Sequence, residues 1–349
     1  GGSDDRVVPM KLGIGLWCLQ STTTRPRSFP ELYQELIDDA RLAERVGLDS
    51  LWLSEHHGFY DGYCPALLPA ASAALAATER LHVATGVLLL PLQDPRRVAR
   101  GARRLHETFG GRFELGVGMG YRPIEFDAKH LDIAERVRRM NAGLDVLAAD
   151  RDANDDGPAL WVGVTSPVAA RRAGRRGLGL FISGAFSKKV VDELIANHSQ
   201  AWQDADCPGG TKPPVGILRN LWLAESASER TQAAAWVRSS YLVYAGLGWG
   251  ADDTGVDFAA QIDASMDEVE ASAIIGGSGE IAERLADYEG VDRVVARIGY
   301  DAPPRSALVE VIEGLGLELA PLLAAGTSSD GSPDELQVAG SNGAPEDGR

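Results

Sequence analysis

Cysteine is scarce in this chain. It has three, Cys18, Cys64 and Cys207, odd in number and far apart in 349 residues. No CxxC pair accompanies them and no His/Cys cluster has zinc-ligand spacing, so neither a disulfide framework nor a structural metal is expected. Lysine is nearly as sparse: five of the 34 basic residues, leaving 29 arginines. Fifty acidic residues outnumber the basic ones and set the net charge at -16, which withholds the basic surface a nucleic acid or an anionic membrane requires. No apolar run approaches the length of a membrane span, and no charged segment leads into an apolar one as in a secretory leader. These absences describe an acidic globular protein of the cytoplasm, with 44% hydrophobic residues from which to build a core.

What is present is alternation. Short apolar runs recur between longer amphipathic ones: strands over 11–17, 50–54, 81–90, 112–118, 159–163, 179–183, 215–224 and 292–299. Helices fall between them, over 29–46, around 69–78, from Pro95, then 130–149, 166–176, 188–202, 226–244, 278–288 and 305–323. The first helix carries Leu32, Leu36, Ile37, Ala40 and Ala43 as one stripe and stops at Gly47. Asp94 followed by Pro95 reads as an N-cap with proline in the first turn. Eight strand-then-helix units predict a (β/α)8 barrel rather than an open sheet. The Gly13–Cys18 segment does not complete the GxGxxG that a doubly wound dinucleotide fold places after its first strand. One barrel over residues 10–324 is expected. The segment 246–273 interrupts the alternation with glycines and acidic residues and reads as a lid. The tail over 325–349, poor in large apolar residues, reads as disordered.

Barrels of this class place their chemistry where the strands end, at the C-terminal mouth. The second strand ends in Glu55-His56-His57, which holds two of the six histidines. The third passes through Thr85, Gly86 and Val87. The fourth runs Gly116-Val117-Gly118-Met119-Gly120-Tyr121, its alternate glycines clearing one face for something flat and large. The fifth delivers Val164, Thr165 and Ser166 into a helix that opens on Pro167. Its free N–H groups and positive dipole end suit an anion, although simple capping accounts for the same residues. Arg171, Arg172, Arg175 and Arg176, farther along that helix, read as a solvated face. Trp17, Phe59, Tyr60, Tyr63 and Trp249 suggest an apolar or aromatic pocket.

Five runs are recognisable together: LWLSEHHG, TERLHVATGVLLLP, GGRFELGVGMGYRPIEF, WVGVTSPVAARRA and GSGEIAERLADYEGVDRVV. In that order, and over roughly residues 10–323, the chain resembles the bacterial luciferase-like family of flavin-dependent oxidoreductases. The resemblance implies a barrel that binds FMN, received as FMNH2 from a separate flavin reductase, with the deazaflavin F420 as the alternative cofactor. It implies a monooxygenase in which O2 and reduced flavin form a C4a-(hydro)peroxyflavin that oxidises a small organic substrate. An F420-dependent hydride transferase and a non-catalytic flavin-binding barrel are the other readings.

By the same resemblance the catalytic histidine falls on His56, with Glu55 orienting or tuning it and His57 supporting them. A non-prolyl cis peptide falls on Gly86–Val87, and the phosphate falls on Thr165 and Ser166. Gln20 and Ser183 join the pocket, and two copies pair through the helices after strands two and three. Three features depart from the family pattern. Met119 stands where luciferases often carry arginine, the segment 150–158 is short, and the eighth strand ends in Arg297, a candidate for a substrate anion and equally for an ordinary surface ion pair.

Overall fold

A computed structural model of the protein describes residues 9–17, 19–21, 25–58, 63–153, 156–205, 212–246, 271–298 and 303–325, with the backbone alone over 241–246. The greater part of the expected lid over 246–273, Phe59, Tyr60 and Trp249, and the tail after Ala325 lie outside the described residues.

The chain forms a closed parallel barrel. Its strands are β1 (Lys11–Trp17), β2 (Ser50–Leu53), β3 (His82–Thr85), β5 (Phe113–Gly118), β6 (Leu160–Val164), β7 (Gly179–Ile182), β8 (Val215–Leu223) and β10 (Arg293–Arg297). Each pairs with the next in parallel, and β10 closes the circle between β8 and β1, with Arg293 opposite Gly216 on one side and Lys11 on the other. The expected third strand, 81–90, is broken after Thr85. A short continuation, β4 (Leu88–Leu89), resumes pairing with β5 beyond the cis peptide Gly86–Val87. A second cis peptide, Gly15–Leu16, lies in β1. An additional strand that the sequence pattern does not announce, β9 (Ile274–Gly276), extends the outer end of β8.

Helices return the chain between strands: α1 (Phe29–Arg45), α2 (Leu67–Ala76), α3 (Pro95–Thr108), α5 (Arg136–Asp152), α6 (Pro167–Gly174), α7 (Lys188–Asp204), α8 (Ala227–Gly246), α9 (Ser278–Ala286) and α10 (Arg305–Gly314). A π-turn (Leu315–Leu319) links α10 to α11 (Ala320–Ala325). The helix expected from residue 130 begins six residues later, because a separate turn, α4 (Pro123–Asp127), intervenes after β5. Ser28 and Glu31 start α1 as a capping box, each accepting the other's backbone N–H. The small residues Ala70, Ala71 and Ala74 of α2 are buried within this single chain. They let α2 approach β2, β3 and α3 closely rather than facing outward.

The main core lies between barrel and helices, and a smaller one fills the barrel. Inside, Trp52 stacks on Phe181 at 4.5 Å between ring centres and meets Trp161 edge-on at 5.6 Å. Toward the N-terminal end lies a buried charge cluster. Glu114 Oε2 accepts from Arg293 and from the Trp161 indole, both at 2.7 Å, while Oε1 lies 3.0 Å from His82 Nδ1. Arg293 also pairs with Asp49 at 2.9 Å. The aromatic layer therefore separates a charged floor from the mouth.

Candidate active site

The mouth holds a cavity of about 420 Å³ lined from most strand ends. β2 supplies Ser54, Glu55 and His56; β3 and β4 supply Gly86, Val87 and Leu89; the β5 end supplies Gly118, Met119, Gly120 and Tyr121. Val164, Thr165 and Ser166 enter from β6, Ser183 from β7 and Arg297 from β10. Leu16, Tyr63, Phe181 and Leu218 complete the apolar and aromatic surface.

Three expected site residues stand elsewhere. Thr85 is fully buried, and its hydroxyl bridges the backbone of Gly116, donating to the carbonyl at 2.7 Å and accepting the N–H at 2.9 Å. It pins β3 to β5 and stands off the cavity wall. Gln20 lies in a smaller cavity of about 40 Å³ with Trp17, Asp39 and Arg305. Strand alternation explains why: Leu16 points inward, so Trp17 points outward and donates its indole N–H to Asp39 at 2.8 Å. His57 is not on the cavity wall. Its Nε2 meets Glu55 Oε1 at 2.5 Å.

The Glu-His-His triplet thus divides its labour differently from the expectation. Both Glu55 oxygens face the scaffold: Oε2 accepts the Leu89 N–H at 2.7 Å, and Oε1 takes Gln93 at 3.0 Å beside His57. Glu55 therefore anchors β4 to β2 and does not hold His56. That task falls to Glu125 on α4. Its Oε1 lies 2.9 Å from His56 Nδ1 and accepts the His57 N–H at 2.8 Å, with Arg122 at 3.6 Å. Arg122 also donates to the His57 carbonyl at 2.9 Å, which clamps the end of β2 to α4. Glu125 is completely buried, a placement a carboxylate tolerates only with such partners. The sequence signal for it is faint: an acid between Ile124 and Phe126, one helical turn past a strand end.

Two tyrosines flank the His56 ring edge-on, Tyr63 at 4.8 Å and Tyr121 at 5.7 Å between ring centres. Tyr63 is tied to Ser54 by a 2.7 Å hydroxyl contact. The Tyr121 hydroxyl is buried without a hydrogen-bond partner. Burial first, and the Glu125 carboxylate second, push this phenol above its ordinary range, while the Arg122 and Arg297 guanidiniums oppose the rise. It remains a proton donor at any working pH.

The alternate glycines of β5 also have a different cause from the one expected. A side chain at Gly116 would meet the Thr85 carbonyl at 2.0 Å, and one at Gly118 would meet the Val87 side chain at 2.2 Å. The space they clear belongs to the chain's own β3–β4 segment, which in turn brings Val87 to the cavity wall.

At the β6 end of the cavity Ser166 caps α6, its hydroxyl accepting the Ala169 N–H at 3.4 Å. Capping and cavity lining coexist here, since Thr165 and Ser166 both face the cavity. Arg136 from α5 and Arg172 from α6 stand beside them, and neither makes an ion pair with a described residue. Burial, reinforced by neighbouring Arg176, lowers the pKa of Arg172. The expectation of a wholly solvated arginine face therefore fails at Arg172, while Arg176 forms a surface ion pair with Asp145. Two cations, a helix start and hydroxyls thus stand together at one end of the cavity, the combination of groups that pairs with anions in general.

Comparison with known proteins decides the family. A family model described as luciferase-like monooxygenase matches residues 10–149 and 145–292. The chain belongs to the luciferase-like monooxygenases. Members of this family are enzymes, and the flavin-dependent character expected from the five sequence runs is theirs.

Among curated relatives, the oxygenase component of a flavin-dependent trigonelline monooxygenase from Acinetobacter baylyi is 21% identical over 309 residues, spanning 78% of this chain and 82% of that protein. An uncharacterized Sinorhizobium fredii protein, y4vJ, is 29% identical over 229 residues, and the match spans 58% of this chain and 64% of that one. Two solved structures show the same fold at TM-score 0.69. One is the oxygenating constituent of 3,6-diketocamphane monooxygenase of Pseudomonas putida in complex with FMN, at 18% identity, covering 89% of this luciferase-like chain and 98% of that one. The other is an F420-dependent secondary alcohol dehydrogenase with an F420-acetone adduct, at 16% identity, covering 90% and 99%.

Proposed function

We propose that this luciferase-like enzyme is the oxygenase component of a two-component monooxygenase, taking FMNH2 from a separate flavin reductase and oxygenating a small organic substrate with O2. The observation that carries the reading is the two-ended cavity. A histidine fixed by a buried carboxylate stands on one wall, and an anion site stands at the start of α6. The residues suit FMN. Arg136 and Arg172, with no ion-pair partner among the described residues, and the first-turn N–H groups of α6 match a phosphate dianion. Leu16, Val87, Met119 and Phe181 offer an apolar surface for a flat ring. When bound, reduced FMN supplies the electrons that activate O2. The chain supplies the surroundings.

With Nδ1 committed to Glu125, proton exchange with a bound molecule falls to His56 Nε2. The apolar wall excludes water, which limits wasteful loss of reactive oxygen species. The trigonelline oxygenase and the FMN-bound diketocamphane enzyme support this reading by likeness. The F420-bound dehydrogenase of equal structural likeness supports hydride transfer as the alternative. The reading carries with it one catalytic barrel over residues 10–324, a homodimer and a cytoplasmic location.

Titration with FMNH2, FMN and F420, followed by rapid mixing of the loaded protein with O2, tests the proposal. Preferential binding of FMNH2 is expected, with an absorbance transient that matches neither reduced nor oxidised FMN. Tight F420 binding with no FMNH2 binding moves the reading to hydride transfer.

A further inference from the structure

The apolar wall of the cavity includes a group that oxygen chemistry can alter. Of the four methionines in the chain, Met119 and Met140 line this cavity. Met140 comes from α5, is 1% exposed and belongs to the main core. Met119 stands just past the end of β5 and is half-buried at the edge of that core. Its neighbours in sequence, Gly118 and Gly120, bring no side chain to cover it. The other described sulfurs lie elsewhere. Met10 is also half-buried, but it precedes β1 at the opposite end of the barrel. Cys64 is 1% exposed and off the cavity wall. Burial pushes its thiol up to about 11, so little reactive thiolate exists near neutrality. Met266 lies outside the described residues. A thioether takes an oxygen atom from a peroxide, whereas the surrounding Leu16, Val87 and Phe181 do not.

We propose that Met119 is a self-modification site of this enzyme, converted to methionine sulfoxide by hydrogen peroxide released inside the cavity. The peroxide arises when reduced flavin meets O2 with no substrate in place. The sulfur bonds to one peroxide oxygen as the O–O bond breaks. The thioether is oxidised by two electrons, the peroxide is reduced, and its second oxygen leaves as water. The sulfoxide sets a polar group into an apolar surface, where it lacks a partner and opposes the packing of a flat ring. Turnover without substrate thus loosens the hold on the cofactor, and reduction of the sulfoxide restores it. This inference rests on the monooxygenase reading for the source of peroxide, while the chemistry at Met119 is also tested with peroxide supplied from outside.

The test reads sulfoxide by mass spectrometry of tryptic peptides, on which Met10, Met119 and Met140 fall separately. One sample of the full-length protein, loaded with FMNH2, meets O2 in the presence of catalase, which destroys peroxide that reaches bulk solution. A second sample, free of flavin, receives hydrogen peroxide alone. In the first, Met119 sulfoxide is expected to exceed Met10 sulfoxide about fivefold or more, since the oxidant forms beside Met119. In the second, Met119 and Met10 should oxidise at similar rates, both about fivefold or more faster than Met140, because access then governs. The oxidised protein is expected to bind FMN about three- to tenfold more weakly, and methionine sulfoxide reductase with a thiol to reverse the loss. In Met119→Leu the FMN dissociation constant, whatever its starting value, should no longer respond to peroxide, whereas Met10→Leu should respond as the wild type does. Equal oxidation of Met119 and Met10 in the catalase sample overturns the proposal. So does an FMN affinity indifferent to Met119 oxidation, or one that still falls in Met119→Leu. Failure to bind FMNH2 is a separate result that overturns the monooxygenase reading. The flavin-free sample then still decides whether Met119 is an oxidation site, and oxidation no faster than that of Met140 rejects it.

Discussion

At the floor of the barrel Glu114 has three partners within 3.0 Å, and Arg293 answers two carboxylates. At the mouth, beyond the other end of β5, Tyr121 holds a buried hydroxyl with no partner, and Arg136 and Arg172 have no ion-pair partner among the described residues. Backbone and layer are the same at both ends. The difference lies in whether the polar groups are consumed by the fold or left for a ligand. Matched charges hold the strands in register and contribute stability. Unmatched ones weaken the empty protein and contribute binding. His56 stands between these extremes, its Nδ1 bound by Glu125 and its ring on the cavity wall.

The comparison is open to experiment, beginning where the effect should be greatest. Arg293→Met removes the central cation of the floor and strands Glu114 and Asp49. A loss of about 3–5 kcal/mol in urea unfolding is expected, as for other buried pairs broken on one side, with FMN affinity per folded molecule unchanged. The floor also carries a pH signature. Burial acts to raise the Glu114 carboxyl, but Arg293 and the contact from His82 outweigh it and hold the group well below the usual carboxylate range. Its contribution is therefore complete above the unfolded value of about 4.3 and lost as pH falls through the depressed folded value. The stability gap between wild type and Glu114→Gln should be constant near neutrality and shrink below about pH 4. A gap independent of pH would show that Glu114 is not the charged partner.

His56→Ala moves the test to the wall of the cavity. Turnover should fall about 10²–10⁴-fold, or about 3–5 kcal/mol of barrier, with little change in FMN affinity. A fall in melting temperature with activity per folded molecule preserved would make His56 a floor-type residue instead. Glu125→Gln keeps the size and an acceptor oxygen but removes the charge behind the ring. It should lose a share of the His56 effect, about 10- to 100-fold in kcat, with KM nearly constant, and Glu125→Asp should recover part of it. Equal changes in kcat and KM would point to a collapsed pocket.

The smallest effect has the opposite sign. Tyr121→Phe deletes a buried hydroxyl that has no partner, so the ligand-free protein should gain about 1 kcal/mol and melt about 2 °C higher. A lower melting temperature would mean that the mouth, like the floor, is internally satisfied.

Much of the molecule was legible in one dimension. Strand and helix positions follow from apolar periodicity, which is local and survives any tertiary arrangement. His56, Thr165 and Ser166 were legible because a strand end in a parallel barrel has one destination, the mouth. Thr85 and Gln20 stand off the cavity wall for a related reason: nearness to a strand end does not say which way a side chain points. A single step in alternation sends Leu16 into the cavity and Trp17 away from it. The Gly116–Gly118 pattern was read as room for a ligand when the neighbouring strand occupies that room.

The sequence alone thus determined the barrel, its eight units and which strand ends reach its mouth, since each depends on patterns within a few turns of chain. It could not determine partnership. His56 meets Glu125 across 69 residues, Arg293 meets Glu114 across 179, and Glu55 turns from its neighbour His56 to reach Leu89. Only closure of the barrel sets such distances, and they decide whether a buried polar group is already satisfied or waits for a ligand.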